Sequence, residues 1–366
     1  MSETKKIDNK KKKILYVVEA MGGGVFTYIV DLANELVNEY DIYIAYAVRQ
    51  QTPLNYKEYF DNRVTLIELK NFHREIGLLQ EFKAINEIKN IEKRIKPDVI
   101  HLHSSKAGVI GRIAFNGKKI PVFYTPHGYS FLMQNCENSK RFIYKAIENI
   151  MAKRNCITIS CSLGEHKETI KMTSKAYYID NAVNLEKLQT IISGVEKKEH
   201  PFTVFTLGRI CFQKNPTLFN QIAELLSDVK FVWIGDGELH DDLQADNIEI
   251  TGWVDRKTAI EYAVNADVFI LTSLWEGLPM SLLEAMYMKK TCVVNNVIGN
   301  NDVIHNNDNG YVCNSVNDFV NAIIEIRNKG SKQYIEKAYK DILDHYNTRI
   351  QAEQYSYIYK KYMNKE

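Results

Sequence analysis

Two doubly wound α/β halves are the architecture this sequence predicts, and three observations carry it. Short apolar runs with strand character alternate with stretches whose apolar residues recur at helical spacing. The alternation is interrupted at the weak, charged segment "SGVEKKEHP" (residues 193–201) and restarts from a new strand. The chain has 366 residues, 45% of them hydrophobic, more than a single core ordinarily organises. The expected organisation is a basic disordered tail over 1–13, a first half over 14–192, a linker over 193–201 and a second half over 202–345. A terminal helix over 346–366 is expected to pack back onto the first half. Sheets of this kind take ligands at the carboxyl ends of their strands, which makes the cleft between the halves the natural site.

Each element follows in order. "KILYVV" is a short apolar strand, "GVFTYIVDLANELVNEY" has the helical period, and "DIYIAYAV" returns to strand character, a βαβ opening. The pattern continues through the strand "VTLIEL", the helix "LLQEFKAINEIKNIEKRIK", the strand "DVIHLH", the small-residue helix "SKAGVIGRIAF" and the strand "VFYT". "CITIS" and "AYYID" close the first half. The second opens with the strand "FTVFTLG", the helix "PTLFNQIAELL" and the strands "KFVWIG" and "IEITG". The helix "RKTAIEYAVNA", the strand "DVFIL", a helix after Pro279 and the strand "TCVVN" complete it.

Composition excludes several classes. A formal net charge of +2 is too near neutral to advertise nucleic acid. The six cysteines form no C-x-x-C pair, and several sit in apolar runs, which suggests a reducing compartment. The apolar run Ile14–Val18 behind the N-terminal lysines is too short for a signal peptide, and no segment approaches the apolar length of a membrane span. A cytoplasmic protein is expected, with the lysines a solvated tail.

Three stretches carry chemistry. Gly22–Gly24 follow the first strand and precede a helix, where backbone amides and the helix dipole can cradle a phosphate; a tight turn needing positive φ fits equally well. The G-x-G-x-x-G spacing and the acidic residue of a dinucleotide site are both missing. In "TLGRICFQKNP", Arg209 and Lys214 follow a strand and precede a helix, and two cations there would neutralise a diphosphate. In "SLWEGLPMSLLEAMYMKK", a strand ends and a helix begins at Gly277–Pro279, with Glu276 before the break and Glu284 beyond it. Carboxylates would repel phosphate, so the pair suits neutral sugar hydroxyls while amides and cations hold the phosphates.

"EGLPMSLLE" resembles the glutamate-x7-glutamate signature of retaining glycosyltransferases of the GT-B fold, family GT4. "GGG", "TPHG" (125–128), "GR" followed by Lys214, "IGDGEL" and "TGWV" fall in the order that family shows, over nearly the whole chain. The resemblance implies that Arg209 and Lys214 hold the diphosphate of a nucleotide sugar, assisted by amides around Gly23, Gly24 and Leu278–Met280. It implies Glu284 on the ribose, Glu276 and Gly277 at the donor sugar, Gly252–Val254 beside the base, and His127 over the reacting sugar. Trp253 either packs in the core or stacks on the base. "DNAVN" (180–184) departs from the family's Asn-Gly-Val-Asp stretch at Ala182 and Asn184.

The implied reaction is transfer of a hexosyl group from a UDP-sugar to a glycan hydroxyl with retention. No cofactor is expected, and no metal is needed where Arg209 and Lys214 neutralise the diphosphate. His101 and His103 share one strand face, but no cysteine or acidic partner stands at ligand spacing. The basic amphipathic stretch 138–155 is either a packed helix with a solvated face or a surface for anionic membrane, which would make the enzyme peripheral and its acceptor lipid-linked, in capsule or exopolysaccharide assembly. Two other readings stand beside this one: a nucleotide-sugar 2-epimerase of the same architecture, and a non-catalytic nucleotide-sugar-binding partner in a glycan-assembly complex.

Overall fold

The structure, a computed structural model, describes residues 10–19, 21–49, 52–72, 77–134 and 136–364. The expected basic tail lies outside the described residues up to residue 9. Its remainder is shorter than expected, because the first strand begins at Lys12 and the Lys13 amide donates to Asp98 Oδ2 at 2.8 Å.

The first run of elements is β1 (Lys12–Val18), α1 (Gly23–Leu36), β2 (Tyr40–Tyr46), β3 (Thr65–Glu68), α2 (Leu78–Ile95), β4 (Val99–His103), α3 (Ser105–Ala114) and β5 (Val122–Thr125). It continues with α4 (Asn138–Ala152), β6 (Ile157–Ser160), α5 (Leu163–Thr169), β7 (Ala176–Tyr178) and α6 (Leu185–Ser193). These strands form a seven-stranded sheet in the order β3-β2-β1-β4-β5-β6-β7, parallel from β3 through β6. Ile14–Val18 are fully buried, as a parallel strand covered on both faces requires.

The second run is β8 (Thr203–Leu207), α7 (Pro216–Leu225), β9 (Lys230–Ile234), β10 (Ile248–Ile250), α8 (Arg256–Val264), β11 (Val268–Leu271), α9 (Met280–Tyr287) and β12 (Thr291–Asn295). After it come β13 (Tyr311–Cys313), α10 (Val316–Lys329), α11 (Lys332–His345) and α12 (Thr348–Met363). Its six parallel strands run β10-β9-β8-β11-β12-β13, so the order reverses between β8 and β11. Loops leaving the carboxyl ends of those two strands flank the switch point where such sheets bind ligands. Apolar side chains on the two faces of this sheet form separate clusters, one around Phe269, Leu283 and Met286, the other around Phe219, Trp233 and Ile323.

By contact the described residues up to 126, with 150–159 and 352–364, make one compact unit; 127–134, 136–149 and 160–351 make another. Residues 127–134, 136–149 and 160–192, which the sequence assigns to the first half, group with the second, to whose loops they are hydrogen-bonded. Asn181 Nδ2 donates to the Leu278 carbonyl (2.6 Å), and the Gly164 amide donates to Asp302 Oδ2 (2.9 Å). From Ala352 onward α12 belongs to the first unit, where Tyr359 bonds His101 Nδ1 (2.6 Å) and Ser356 bonds Tyr40 (2.9 Å). His101 and His103 lie in that aromatic core, fully buried, with ring centroids 4.0 Å apart. Among the described residues no group of three or more His, Cys, Asp or Glu is arranged to hold a metal ion.

Candidate active site

The site is built from the loops at the switch point of the second sheet. After β8 the chain turns at Gly208 (φ +149°), whose carbonyl accepts from Trp233 Nε1 at 2.8 Å. A Cβ on Gly235, after β9, would lie 2.3 Å from that carbonyl, so the two loops interlock through a residue that must be glycine. One 3-10 turn later the chain enters α7, with Asn215 in the left-handed region as its N-cap.

Lys214 and Gln213, at the end of that turn, are tied to the loop after β11. The Lys214 carbonyl accepts from Thr272 Oγ1 at 2.7 Å, and the Gln213 carbonyl accepts from the Leu274 amide at 2.8 Å. Their side chains converge on Glu276, which is buried. Lys214 Nζ lies 2.7 Å from Oε1, and Gln213 Nε2 donates to Oε2 at 3.3 Å and to the Trp275 carbonyl at 2.9 Å. Arg209, exposed, pairs with Glu238 Oε2 at 2.9 Å. Each expected phosphate-binding cation is therefore already matched to a carboxylate.

Gly277 is hemmed in on two sides. A Cβ there would lie 3.0 Å from Cys161 Sγ and 3.1 Å from the Gly128 amide nitrogen. Behind it, a Cβ on Gly299 would come within 2.6 Å of the Gly277 carbonyl. The turn His127–Gly128 thus lies directly against the Glu276–Gly277 backbone. His127 takes φ +56°, rare for a residue with a Cβ, and burial pushes its imidazole down to about 3. It is neutral at physiological pH.

Beyond Gly277 the Asn181 side chain holds Leu278, and α9 begins at Met280 behind its N-cap Pro279. Glu284, buried on α9, is gripped by the guanidinium of Arg256 through both oxygens, one bond being Nη1 to Oε2 at 3.0 Å. Each oxygen retains a lone pair for another donor. Gly252 takes φ +69° and Val254 packs on the core, whereas Trp253 is 68% exposed and outside it. Gly23, at φ +57°, and Gly24 are exposed at the start of α1 in the first unit.

Four residues at this site escape a reading of the sequence. Gln213 precedes Lys214 and Arg256 stands two residues beyond Val254, and that closeness to marked residues is their only signal. Glu165 has a local signature, the S-x-x-E of a helix start at Ser162, though not for the contacts it makes. Asn181 lies in the stretch that departs from the family pattern.

Comparison with known proteins bears on this arrangement. A family model described as Glycosyltransferase Family 4 matches residues 22–187, and one described as Glycosyl transferases group 1 matches 201–329. An Escherichia coli protein, UDP-Gal:alpha-D-GlcNAc-diphosphoundecaprenol alpha-1,3-galactosyltransferase, is 32% identical over 74% of this chain and 76% of its own. An uncharacterized 41.2 kDa protein in the cps region of Klebsiella pneumoniae is 29% identical over 86% and 88%. Among solved structures, sucrose-phosphate synthase from Thermosynechococcus elongatus superposes with a TM-score of 0.80 over 96% of this chain and 99% of that one, at 16% identity. Anabaena HepE in complex with UDP and glucose gives 0.76 over 95% and 99%, also at 16%. The fold is GT-B, and the two family models with the 32% identical relative define a glycosyltransferase. The chain belongs to glycosyltransferase family 4.

Proposed function

We propose that this glycosyltransferase moves a hexosyl group from a UDP-sugar to a hydroxyl of a lipid-linked glycan intermediate, with retention at the anomeric carbon and without a metal, in surface polysaccharide assembly. The observation that carries the reading is the convergence of Lys214, Glu276, Gly277 and the His127 turn at one switch point. It supplies a cation for a leaving diphosphate, a carboxylate for sugar hydroxyls, and backbone close enough to exclude a side chain between them. The named activity of the Escherichia coli relative supports both UDP and the lipid diphosphate, and the Klebsiella relative's cps region supports the pathway.

In the transfer, the bond from the anomeric carbon to the phosphate oxygen breaks and its electron pair stays on the diphosphate. Arg209 and Lys214 stabilise the charge that accumulates there, the role a metal would otherwise fill. For Lys214 this requires its Nζ to be shared between Glu276 and phosphate. The acceptor hydroxyl bonds to the anomeric carbon from the same face, and its proton passes to the departing phosphate oxygen. Glu276 and Glu284 accept hydrogen bonds from the sugar and the ribose, and neutral His127 lies over the sugar.

A lipid-linked acceptor places the enzyme at a membrane surface. No helix among the described residues is long and apolar enough to cross one. On α4, Phe142 and Ile143 are 75% and 53% exposed beside the exposed Lys140 and Lys145, which supports peripheral contact with anionic lipid.

The test incubates the full chain with UDP-galactose, UDP-glucose and UDP-N-acetylglucosamine in EDTA, with a diphosphoprenyl-linked N-acetylglucosamine acceptor. Extension of the acceptor by one hexose with an α linkage is the expected result. An epimerised donor without transfer would establish the epimerase instead. UDP binding with no turnover on any pair would leave a non-catalytic partner.

A further inference from the structure

The turn that carries His127 is held by a carboxylate to which the reaction above gives no part. Glu165, on α5, is fully buried. Its Oε1 accepts from the Gly128 amide at 2.7 Å and its Oε2 from the Cys161 amide at 2.8 Å. Ser162 caps α5 by accepting from the Glu165 amide at 3.1 Å. In an ordinary capping box the glutamate would return to the Ser162 amide. Here it reaches one residue further back and across to a separate loop.

That choice is costly. A carboxylate out of water is disfavoured unless hydrogen bonds compensate, and nearby buried Glu148 adds repulsion. The compensation comes from the two amides. What they secure on the far side is a turn in an uncommon conformation: His127 at φ +56° followed by Gly128 at φ +94°. A left-handed residue with a Cβ persists only where its surroundings impose it. The same two residues press on Gly277, where a Cβ would lie 3.1 Å from the Gly128 nitrogen and 3.3 Å from the His127 carbonyl carbon.

We propose that Glu165 is a positioning residue for His127. By accepting from the Gly128 amide it fixes the left-handed turn against Gly277 and so holds the imidazole at the reacting sugar. The proposal rests on the reading that His127 acts on the bound donor, and its test separates the two.

The full chain is prepared as Glu165→Gln, His127→Asn and the double variant, with Glu165→Asp as a milder probe that keeps the charge but draws it back by one methylene. Glutamine can accept from only one of the two amides. Three quantities are read: UDP affinity by calorimetry, kcat with donor and acceptor, and the His127 ring signal in histidine-labelled protein, assigned by its loss in His127→Asn. For Glu165→Gln the expected results are UDP affinity within about twofold, kcat at least about tenfold lower and a displaced His127 signal. Added to His127→Asn, the same change should cost less than about twofold, because its effect runs through the missing imidazole. Glu165→Asp should follow in the same direction with smaller amplitude. Costs that multiply in the double variant, an unmoved His127 signal, or UDP affinity falling in step with kcat and Tm would overturn the proposal. Full activity of His127→Asn beside a displaced ring signal in Glu165→Gln would refute the catalytic reading of His127 while upholding the positioning of its turn.

Discussion

Lys214 and Glu276 form an ion pair of 2.7 Å between the loops that leave β8 and β11, the adjacent strands at the switch point of the second sheet. The pair is mostly buried, so its partners depend on each other: removing one leaves a charge without its counterion in a poorly solvated place. Lys214→Ala should lower kcat by about 100- to 1,000-fold, the scale set by losing one preorganised donor to a developing anion. Glu276→Gln should instead weaken UDP-sugar binding while sparing UDP. Calorimetry with both ligands checks this, and equal losses for the two would remove Glu276 from the sugar.

The Arg256–Glu284 fork predicts a different pattern. Arg256 is partly exposed, so its loss should destabilise by about 1–3 kcal/mol, below the range for a fully buried pair. UDP affinity should fall as well, because the carboxylate loses the guanidinium that orients it. Arg256→Lys cannot reproduce the fork and should recover less than half of the lost affinity. Denaturant unfolding and UDP titration measure both effects.

Two glycines separate stability from activity. Gly235→Ala places a Cβ 2.3 Å from the Gly208 carbonyl at φ +137°, and an expected loss of about 2–4 kcal/mol should appear as a lower Tm. Gly277→Ala is milder, with contacts of 3.0–3.3 Å to Cys161 and the His127 turn. Tm should change little while kcat falls, because the neighbours that must yield are those proposed to face the reacting sugar. A Gly277→Ala enzyme of normal kcat would show that this contact has slack.

His127 gives a pH dependence of defined sign. Its imidazole titrates near 3 when folded, against about 6.5 in an unfolded chain. Between those values the unfolded chain holds the extra proton, so the contribution to stability falls as pH drops through 6.5 and is exhausted near 3. Asparagine tolerates the left-handed conformation and does not titrate, so His127→Asn should unfold with a shallower dependence on pH over that window. Parallel curves for the two proteins from pH 4 to 7 would mean that the folded imidazole titrates normally.

The sequence by itself determined the layering of this protein and the residues at its strand ends. Apolar period is local, so "KILYVV" and "FTVFTLG" read as buried parallel strands without knowledge of their partners. A loop such as "GRICFQK" or "WEGLP" likewise announces where backbone must turn. Four elements are not anticipated from their stretches: α5 and β13 are too short to show a period, whereas α6 and α10 escape although Phe319, Ile323 and Ile326 of α10 recur at helical spacing. Only the tertiary structure decided who meets whom. It paired Lys214 with Glu276 and Arg256 with Glu284, bonded Glu165 to the Gly128 amide, and grouped residues 127–134 and 136–149 with the second unit. Such pairings are set by which loops emerge side by side from neighbouring strands and by the need of each buried charge for a partner. Neither condition leaves a mark at fixed spacing along the chain.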